Sequence, residues 1–525
     1  MLSRLFTLSS AVLLGCTLQT AKAGKGRTTT EKKRPNILFC IADDAGLLGA
    51  YGTRWLHTPA FDRVAGEGIL FNKAFTCNAK SAPSRAAIIT GRNSWQLEEA
   101  CNHWPQFPVK FKSYVEVLGE NGYTVGCTGK GWGPGYAKDS EGKARELTGK
   151  GWNRRHSQPP AKGISSIDYA ANFRDFMENR DTLLPFFFWY GAMEPHRAYE
   201  FNSSSRFNKK TSEIDHVPAY WPDTEKVRRD MLDYAVEVEH FDRHLGEMLR
   251  YLEETGELDN TLIIVTSDHN MPFPRRKGQA YFQSNQIPMA VMWKKGLLCP
   301  GRESDDFISV IDIAPTLLEL AGIDSKHCGM QPITGRSFTD ILRNRQKGKK
   351  RNTVLVGKER HDVGRPDDQG YPIRGLVSDS LLYIRNYKTD RWPACNPETG
   401  YMNIDGSPTK TEILTLRREH RSDFYWKLSC GKRPEEELYN IRRDPECMHN
   451  LMAEEQYRTA GKRLRKEMER RLKKEGDPRM YGEGDIFDRY PNTSYARQYY
   501  NRTRAGEKVS TRWVNKSDFE KEPVE

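Results

Sequence analysis

Three short apolar runs, each leading into side chains that carry chemistry, constrain this chain more than any other feature. Pro35-Asn36-Ile37-Leu38-Phe39-Cys40-Ile41-Ala42 ends in Asp43-Asp44, and Pro185-Phe186-Phe187-Phe188-Trp189-Tyr190 leads to Glu194-Pro195-His196-Arg197. Thr261-Leu262-Ile263-Ile264-Val265-Thr266-Ser267, the clearest of the three and rich in β-branched residues, ends in Asp268-His269. Runs without polar alternation are apolar on both faces, as expected of a parallel sheet covered by helices on each side. Helical periodicity recurs between and after them, over residues 58–68, 113–121, 169–180, 228–255 and 310–321. Strand and helix in alternation predict a doubly wound α/β core.

After about residue 350 the pattern changes. Residues 376–386 and 437–441 read as strands of a smaller antiparallel sheet, 456–474 as a charged helix, and the terminal stretch as a polar, tyrosine-rich wrap over the surface. Residues 1–23 read as a signal peptide: Arg4, an apolar run over 5–18, then Ala21-Lys22-Ala23 as a cleavage site. Leu13-Leu14-Gly15-Cys16 offers lipoprotein anchoring at Cys16 as the lesser alternative. The expected division is therefore 1–23, an α/β domain over 24–350, and a C-terminal α+β subdomain with its tail over 351–525. No later segment reaches the ~18 apolar residues of a membrane span, so export to the periplasm or beyond is expected, without an integral membrane segment.

The net charge of +12 suits an anionic partner, and nucleic acid, membrane surface and acidic polysaccharide share that chemistry. The cysteines form no C-x-x-C pair, which points away from a zinc site and leaves room for one or two disulfides. His240 and His244, one turn apart in a long helix without a third ligand, read as structural.

The chemistry concentrates at strand ends. Asp43-Asp44 needs a cation to offset its own repulsion, and open α/β sheets place ligands at this edge. Asp268-His269 adds an oxygen and a nitrogen ligand, and three carboxylates with one histidine favour a hard divalent ion. The stretch from Cys77 through Ser81-Ala82-Pro83-Ser84-Arg85 to Thr90-Gly91-Arg92 presents Ser81 at a helix start, where backbone N–H groups favour an anion. Gly129-Lys130-Gly131-Trp132, His196 and Lys277 add cationic groups that suit a tetrahedral oxyanion.

Ser81-x-Pro83-Ser84-Arg85 through Thr90-Gly91-Arg92 resembles the serine-type signature of the type I sulfatases. The resemblance extends over Asn36 to Asp44, Thr58-Pro59, Gly129-Lys130, Pro195-His196, Thr266 to His269 and Glu437-Leu438-Tyr439-Asn440. Residues 268–277 and Pro195-His196-Arg197 look like the sulfamidase, or heparan N-sulfatase, branch. The resemblance implies an alkaline-phosphatase-like fold and hydrolysis of O-sulfate or N-sulfoglucosamine groups on a sulfated oligo- or polysaccharide. It implies that a serine-type maturing enzyme oxidises Ser81 to formylglycine (3-oxoalanine), whose hydrate attacks sulfur. Asp43, Asp44, Asp268, His269 and the modified Ser81 would surround Ca²⁺. Arg85 and Lys130 would hold the hydrate. Lys277 and His196 would bind sulfate, with His196 protonating the leaving atom, before the covalent sulfate ester expels sulfate.

Many relatives carry a histidine just after the Gly-Lys pair as base for that last step. Trp132 occupies this neighbourhood here, leaving His156, His361 or another group for the role. Trp132, Trp152 and Trp221 are candidates to stack on sugar, and His361-Asp362 with Arg365 to shape a sugar subsite. Competing readings are a phosphatase or phosphodiesterase of the alkaline phosphatase superfamily, and a non-catalytic glycan-binding protein in which Ser81 stays unmodified. Nucleic acid is not an expected partner.

Overall fold

The computed structural model describes residues 34–346, 348 and 350–524. The expected signal peptide and Cys16 lie outside the described residues. Eight strands form the large sheet: β1 (Asn36–Ala42), β2 (Ile69–Phe71), β3 (Thr124–Gly129), β4 (Lys150–Gly151), β5 (Phe186–Gly191), β6 (Thr261–Ser267), β7 (Met289–Met292) and β8 (Arg302–Ser304). Their order is β8-β2-β7-β6-β1-β5-β3-β4. The three apolar runs lie side by side at its centre, with Ile37 of β1 facing Phe187 on one parallel neighbour and Leu262 on the other.

The sheet is mixed rather than wholly parallel, because β7 runs antiparallel to both β6 and β2. A parallel return needs a long crossover, usually a helix. The segment joining β6 to β7 instead folds over the sheet edge with only a four-residue helix, Phe282–Asn285.

Seven helices matter to the layout: α1 (Pro59–Gly66), α2 (Ser81–Thr90), α3 (Tyr114–Glu120), α4 (Tyr169–Asn179), α5 (Glu225–Glu254), α6 (Ile313–Leu320) and α7 (Glu455–Lys474). Alternate side chains of β1 serve opposite faces, as a period of two requires. Leu38, Cys40 and Ala42 join a core with Phe173, Phe176, Phe241 and Leu245 of α4 and α5. Ile37, Phe39 and Ile41 join another with Ile88, Val117 and Leu317 of α2, α3 and α6. Each fully buried large apolar side chain contributes about 1.5–3 kcal/mol. Local signals agree: the Ser113 and Glu116 side chains form a capping box on α3, and Thr224 caps α5.

The smaller sheet is antiparallel, in the order β9 (Thr353–Lys358), β10 (Ile373–Ser378), β11 (Leu381–Asn386), β12 (Glu436–Asn440). Residues 376–386, expected as one strand, span the end of β10, a tight turn at Asp379-Ser380 and all of β11. Leu464, Met468 and Leu472, spaced four apart on α7, cover one face over Leu355, Leu376, Tyr383 and Leu438. The other face packs on Phe75, Tyr281 and Phe307, which the preceding part of the chain supplies. All nine described cysteines are unpaired. Among the described residues no helix is long and apolar enough to cross a membrane.

Candidate active site

The strand ends meet at one edge of the large sheet. β1 delivers Asp43 and Asp44, β6 delivers Asp268 and His269, and β3 delivers Lys130. Gly129 has φ +72, and a Cβ there would lie 2.0 Å from the Gly191 carbonyl oxygen, so only glycine lets the ends of β3 and β5 approach this closely. All ten residues of α2 are buried, and Gly91 ends the helix at φ +67. Ser81, at its first turn, is 2 % exposed. Its Oγ donates to Asp43 Oδ1 at 3.0 Å and lies 3.4 Å from His269 Nε2.

The four candidate ligand residues are interlocked. Asp44 Oδ1 is 2.8 Å and Asp268 Oδ1 3.9 Å from His269 Nε2. His269 Nδ1 is 2.9 Å from the Asn270 carbonyl oxygen, which assigns it the proton in the neutral ring and leaves the Nε2 lone pair facing carboxylates. Lone pairs directed at one another need a positive charge between them. Three carboxylates and one such nitrogen, with ligand atoms of Asp44, Asp268 and His269 within 4.8 Å of one another, fit a divalent cation. The same geometry is unlike a Ser-His-Asp relay, in which the carboxylate would hold the ring nitrogen turned away from the serine.

Side-chain cations brace this set. Arg85, fully buried, donates from Nε to Asp268 Oδ2 at 2.9 Å and from a terminal nitrogen to Asp43 Oδ1 at 3.2 Å. Lys130 Nζ reaches both Asp43 oxygens, at 2.7 and 2.6 Å. Lys277 Nζ bridges Asp44 at 2.6 Å and Asp405 at 2.7 Å. Burial pushes the Asp43 carboxyl up, and Lys130 and Arg85 more than reverse it, holding it far below the usual carboxylate range. Asp44 is likewise raised by burial and lowered further by the positive charge around it, the Lys277 ammonium at 2.6 Å included. Burial pulls the Lys277 ammonium down, but Asp405 and Asp44 leave it above its ordinary value. Asp44, His196 and Asp405 also converge, but the Lys277 ammonium already bridges the two carboxylates. That disfavours the second metal ion a two-metal phosphatase would need.

A cavity of about 510 Å³ opens over Ser81. Lys80, Lys130, Lys277 and His196 line it with Trp132 and His361, and so do Trp104, Asp362 and Asp405. The C-terminal tail supplies a further wall through Asn492, Ser494, Tyr495 and Trp513. His103, also on the wall, has a buried Nδ1 without a partner. Burial first, then Lys80 and Lys130, drive its imidazole well below the usual histidine range, which keeps it neutral. His361 donates from Nε2 to Asn78 Oδ1 at 2.6 Å.

Several sequence candidates belong elsewhere. Arg365 is buried and gives its guanidinium to the carbonyls of Trp392, Gln369 and Pro393, so it braces a loop rather than shaping a sugar subsite. Arg85 stands behind the carboxylates and is not among the cavity residues, although it was expected to touch the modified serine. Trp221 donates to the Pro274 carbonyl inside the core, and Trp152 packs edge-on against Phe176. His156 is exposed beside Ser166 and outside the cavity. His240 and His244 sit on the buried side of α5, with His244 edge-on to Tyr169. The wall residues His103, Asp405, Tyr495 and Trp513 carry no local motif; only the density of aromatics in the tail hinted at a role for it.

A family model described as Sulfatase matches residues 35–323. The chain is 28 % identical to an ulvan-active sulfatase of Formosa agariphila, over 85 % of this chain and 76 % of that protein. It is 25 % identical to the human N-sulphoglucosamine sulphohydrolase, over 83 % of this chain and 90 % of that one. Among solved structures, BT4656 in complex with its substrate D-glucosamine-2-N,6-O-disulfate superposes with a TM-score of 0.58 at 19 % identity, covering 85 % of this chain and 99 % of that one.

Proposed function

The chain belongs to the sulfatase family, and from that premise we propose that it releases inorganic sulfate from a sulfated glycan, with Ser81 as the nucleophile's position. One observation carries the reading: the Ser81 hydroxyl lies among three carboxylates and His269 on the floor of a cavity lined by Lys80, Lys130, Lys277 and His196. A plain serine hydroxyl is a weak nucleophile without an adjacent base, so the reading requires conversion of Ser81 to formylglycine by a serine-type maturing enzyme. The hydrated aldehyde supplies a more acidic oxygen nucleophile. Asp43, Asp44, Asp268 and His269 would hold the divalent cation, and the three hard carboxylates favour Ca²⁺, which supplies Lewis-acid charge.

This chain's own residues do the rest. Lys130 and Arg85 fix Asp43, and Asp43 orients the residue-81 oxygen. Lys80, Lys277 and His196 neutralise the sulfate oxygens. His196 Nδ1 lies 2.6 Å from the Arg197 carbonyl oxygen, leaving Nε2 to protonate the departing oxygen or nitrogen. Trp104, Trp132, Tyr495 and Trp513 offer faces for a sugar ring. The similarity to proteins named for ulvan and N-sulphoglucosamine supports a glycan substrate. Export by the residue 1–23 signal, and the 24–350 and 351–525 division, belong to the same proposal.

Mass analysis of the tryptic peptide spanning Ser81 tests the reading. Active protein from the native host should lack the two hydrogens lost when CH₂OH becomes CHO, and an intact serine in active protein would sink it. His103 takes the role of base that Trp132 leaves open. His103→Ala should lower kcat by about 10²–10⁴-fold, with a rapid burst of desulfated sugar before slow turnover. A variant that turns over normally, or slows without a burst, would remove His103 from that role.

A further inference from the structure

A second cleft, of about 910 Å³, lies between the C-terminal end of α2 and the basic side of α7. Its walls include Arg92, Arg336, Arg351, Arg470, Arg471 and Lys474, against two acidic residues, Asp312 and Glu475. Both acids are engaged within the fold. Glu475 Oε2 accepts from Asn93 and Trp95 at 2.9 Å each. Asp312 accepts the backbone N–H groups of Arg336 and Ser309 at 2.7 and 3.0 Å.

Arg92 and Arg471 are met by neutral oxygens, the Pro332 carbonyl and Thr353 Oγ1 at 3.0 Å, whereas Arg351 meets the Ser337 carbonyl and Asp340, Arg336 meets Asp340 at 3.3 Å, and Arg470 pairs with Glu467 at 2.7 Å along the helix. The Nε groups of Arg92 and Arg351 are buried without any acceptor. A buried donor without a partner is costly, and a charged one more so. Burial lowers the pKa of Arg92 and of Arg471, with Glu475 the leading counter-charge at each. Crowded guanidinium groups with spare donors match the paired oxygens of a tetrahedral oxyanion. Ser81 and Arg92 flank opposite ends of α2, whose ten residues span ~15 Å, so the cleft is separate from the cavity.

We propose that this cleft binds a sulfated stretch of polysaccharide and anchors the polymer away from the reaction site. The identity of the ligand rests on the glycan-sulfatase reading; the existence of an oxyanion cleft does not. A concave site lined by guanidinium groups suits a flexible sulfated chain better than a flat membrane surface.

The test pairs the double variant Arg470→Glu/Lys474→Glu with Arg471→Gln, both in the full-length matured protein. Both should elute from a heparin resin at lower salt than wild type. KM for a sulfated polysaccharide should rise about tenfold or more as cations are removed or reversed, while kcat/KM for a sulfated monosaccharide stays unchanged. Unchanged elution, or equal losses on monosaccharide and polymer, would overturn the proposal. So would an equal drop in retention on a carboxylated, sulfate-free polysaccharide resin, or saturation of the cleft by micromolar inorganic sulfate. Ser81→Ala should keep full heparin retention, so that failure of the reaction reading and failure of the cleft are read separately.

Discussion

Asp268→Asn is expected to reduce sulfate release by about 10³-fold or more, the scale on which losing a preorganised charge next to the reacting oxygens is felt. Asp268 does two things at once. Oδ1 accepts the backbone N–H groups of Asp44 and His269 at 3.0 and 2.9 Å, which sets the spacing of both strand ends. Oδ2 receives Arg85 Nε at 2.9 Å. Asparagine keeps one oxygen for the backbone but turns an NH₂ group toward the guanidinium and removes one of three negative charges from the proposed metal set. The fold should survive, because Arg85 keeps Asp43 and the carbonyls of Lys130 and Gly131. Circular dichroism should match wild type. A chelator should lower the wild-type melting temperature but leave that of the variant nearly unmoved. Sulfate release at the wild-type rate would mean that the metal set is wrongly drawn.

Arg374→Ala should have the largest effect on stability, about 3–5 kcal/mol, the cost of leaving buried charges without their partner. Arg374, on β10, is fully buried and meets Asp477 at 2.7 Å and Glu359 at 2.8 Å. Its remaining donors go to the carbonyls of Lys358 and Ile373. Arg479 shares Glu359 at 2.7 Å, so the network ties the small sheet to the segment after α7. The guanidinium also lies 5.2 Å from the Trp95 ring, which follows the α2 stretch. Removing it strands the Asp477 carboxylate in a fully buried site and leaves Glu359 with Arg479 as its remaining cation. Denaturant unfolding would show the loss as a lower midpoint. A midpoint within a few tenths of a kcal/mol of wild type would show that the carboxylates are relieved by protonation or rearrangement.

The sequence was informative wherever a local pattern and its chemistry coincide. The apolar runs before Asp43, Glu194 and Asp268 form the three central strands. Ser81 sits at a helix start, and Lys130, Lys277 and His196 line one cavity with it. What stayed hidden depends on contacts between distant segments. Asp405 matters because Lys277 reaches it, and no neighbouring residue signals that pairing. Arg365 and Trp221 looked available because a sequence does not tell a donor facing sugar from one consumed by a carbonyl. The reversed strand β7 depended on a loop that folds over the edge instead of crossing a face. The Asp379-Ser380 turn was too short to break an otherwise apolar stretch.

The tail on the cavity wall sets an order of events. Ser81 sits at the head of a helix with every residue buried, and no other enzyme can close around it while that packing persists. Trp513, on the far wall, is made 432 residues later by the numbering. At about 5–20 residues per second of synthesis, that interval is roughly 20–90 s. Within it the cavity lacks its last wall, and the proposed conversion of residue 81 would have its best opportunity. On the proposal that Ser81 is converted to formylglycine, conversion becomes a race with folding on each newly made chain, and a chain that folds with its serine intact would miss its turn.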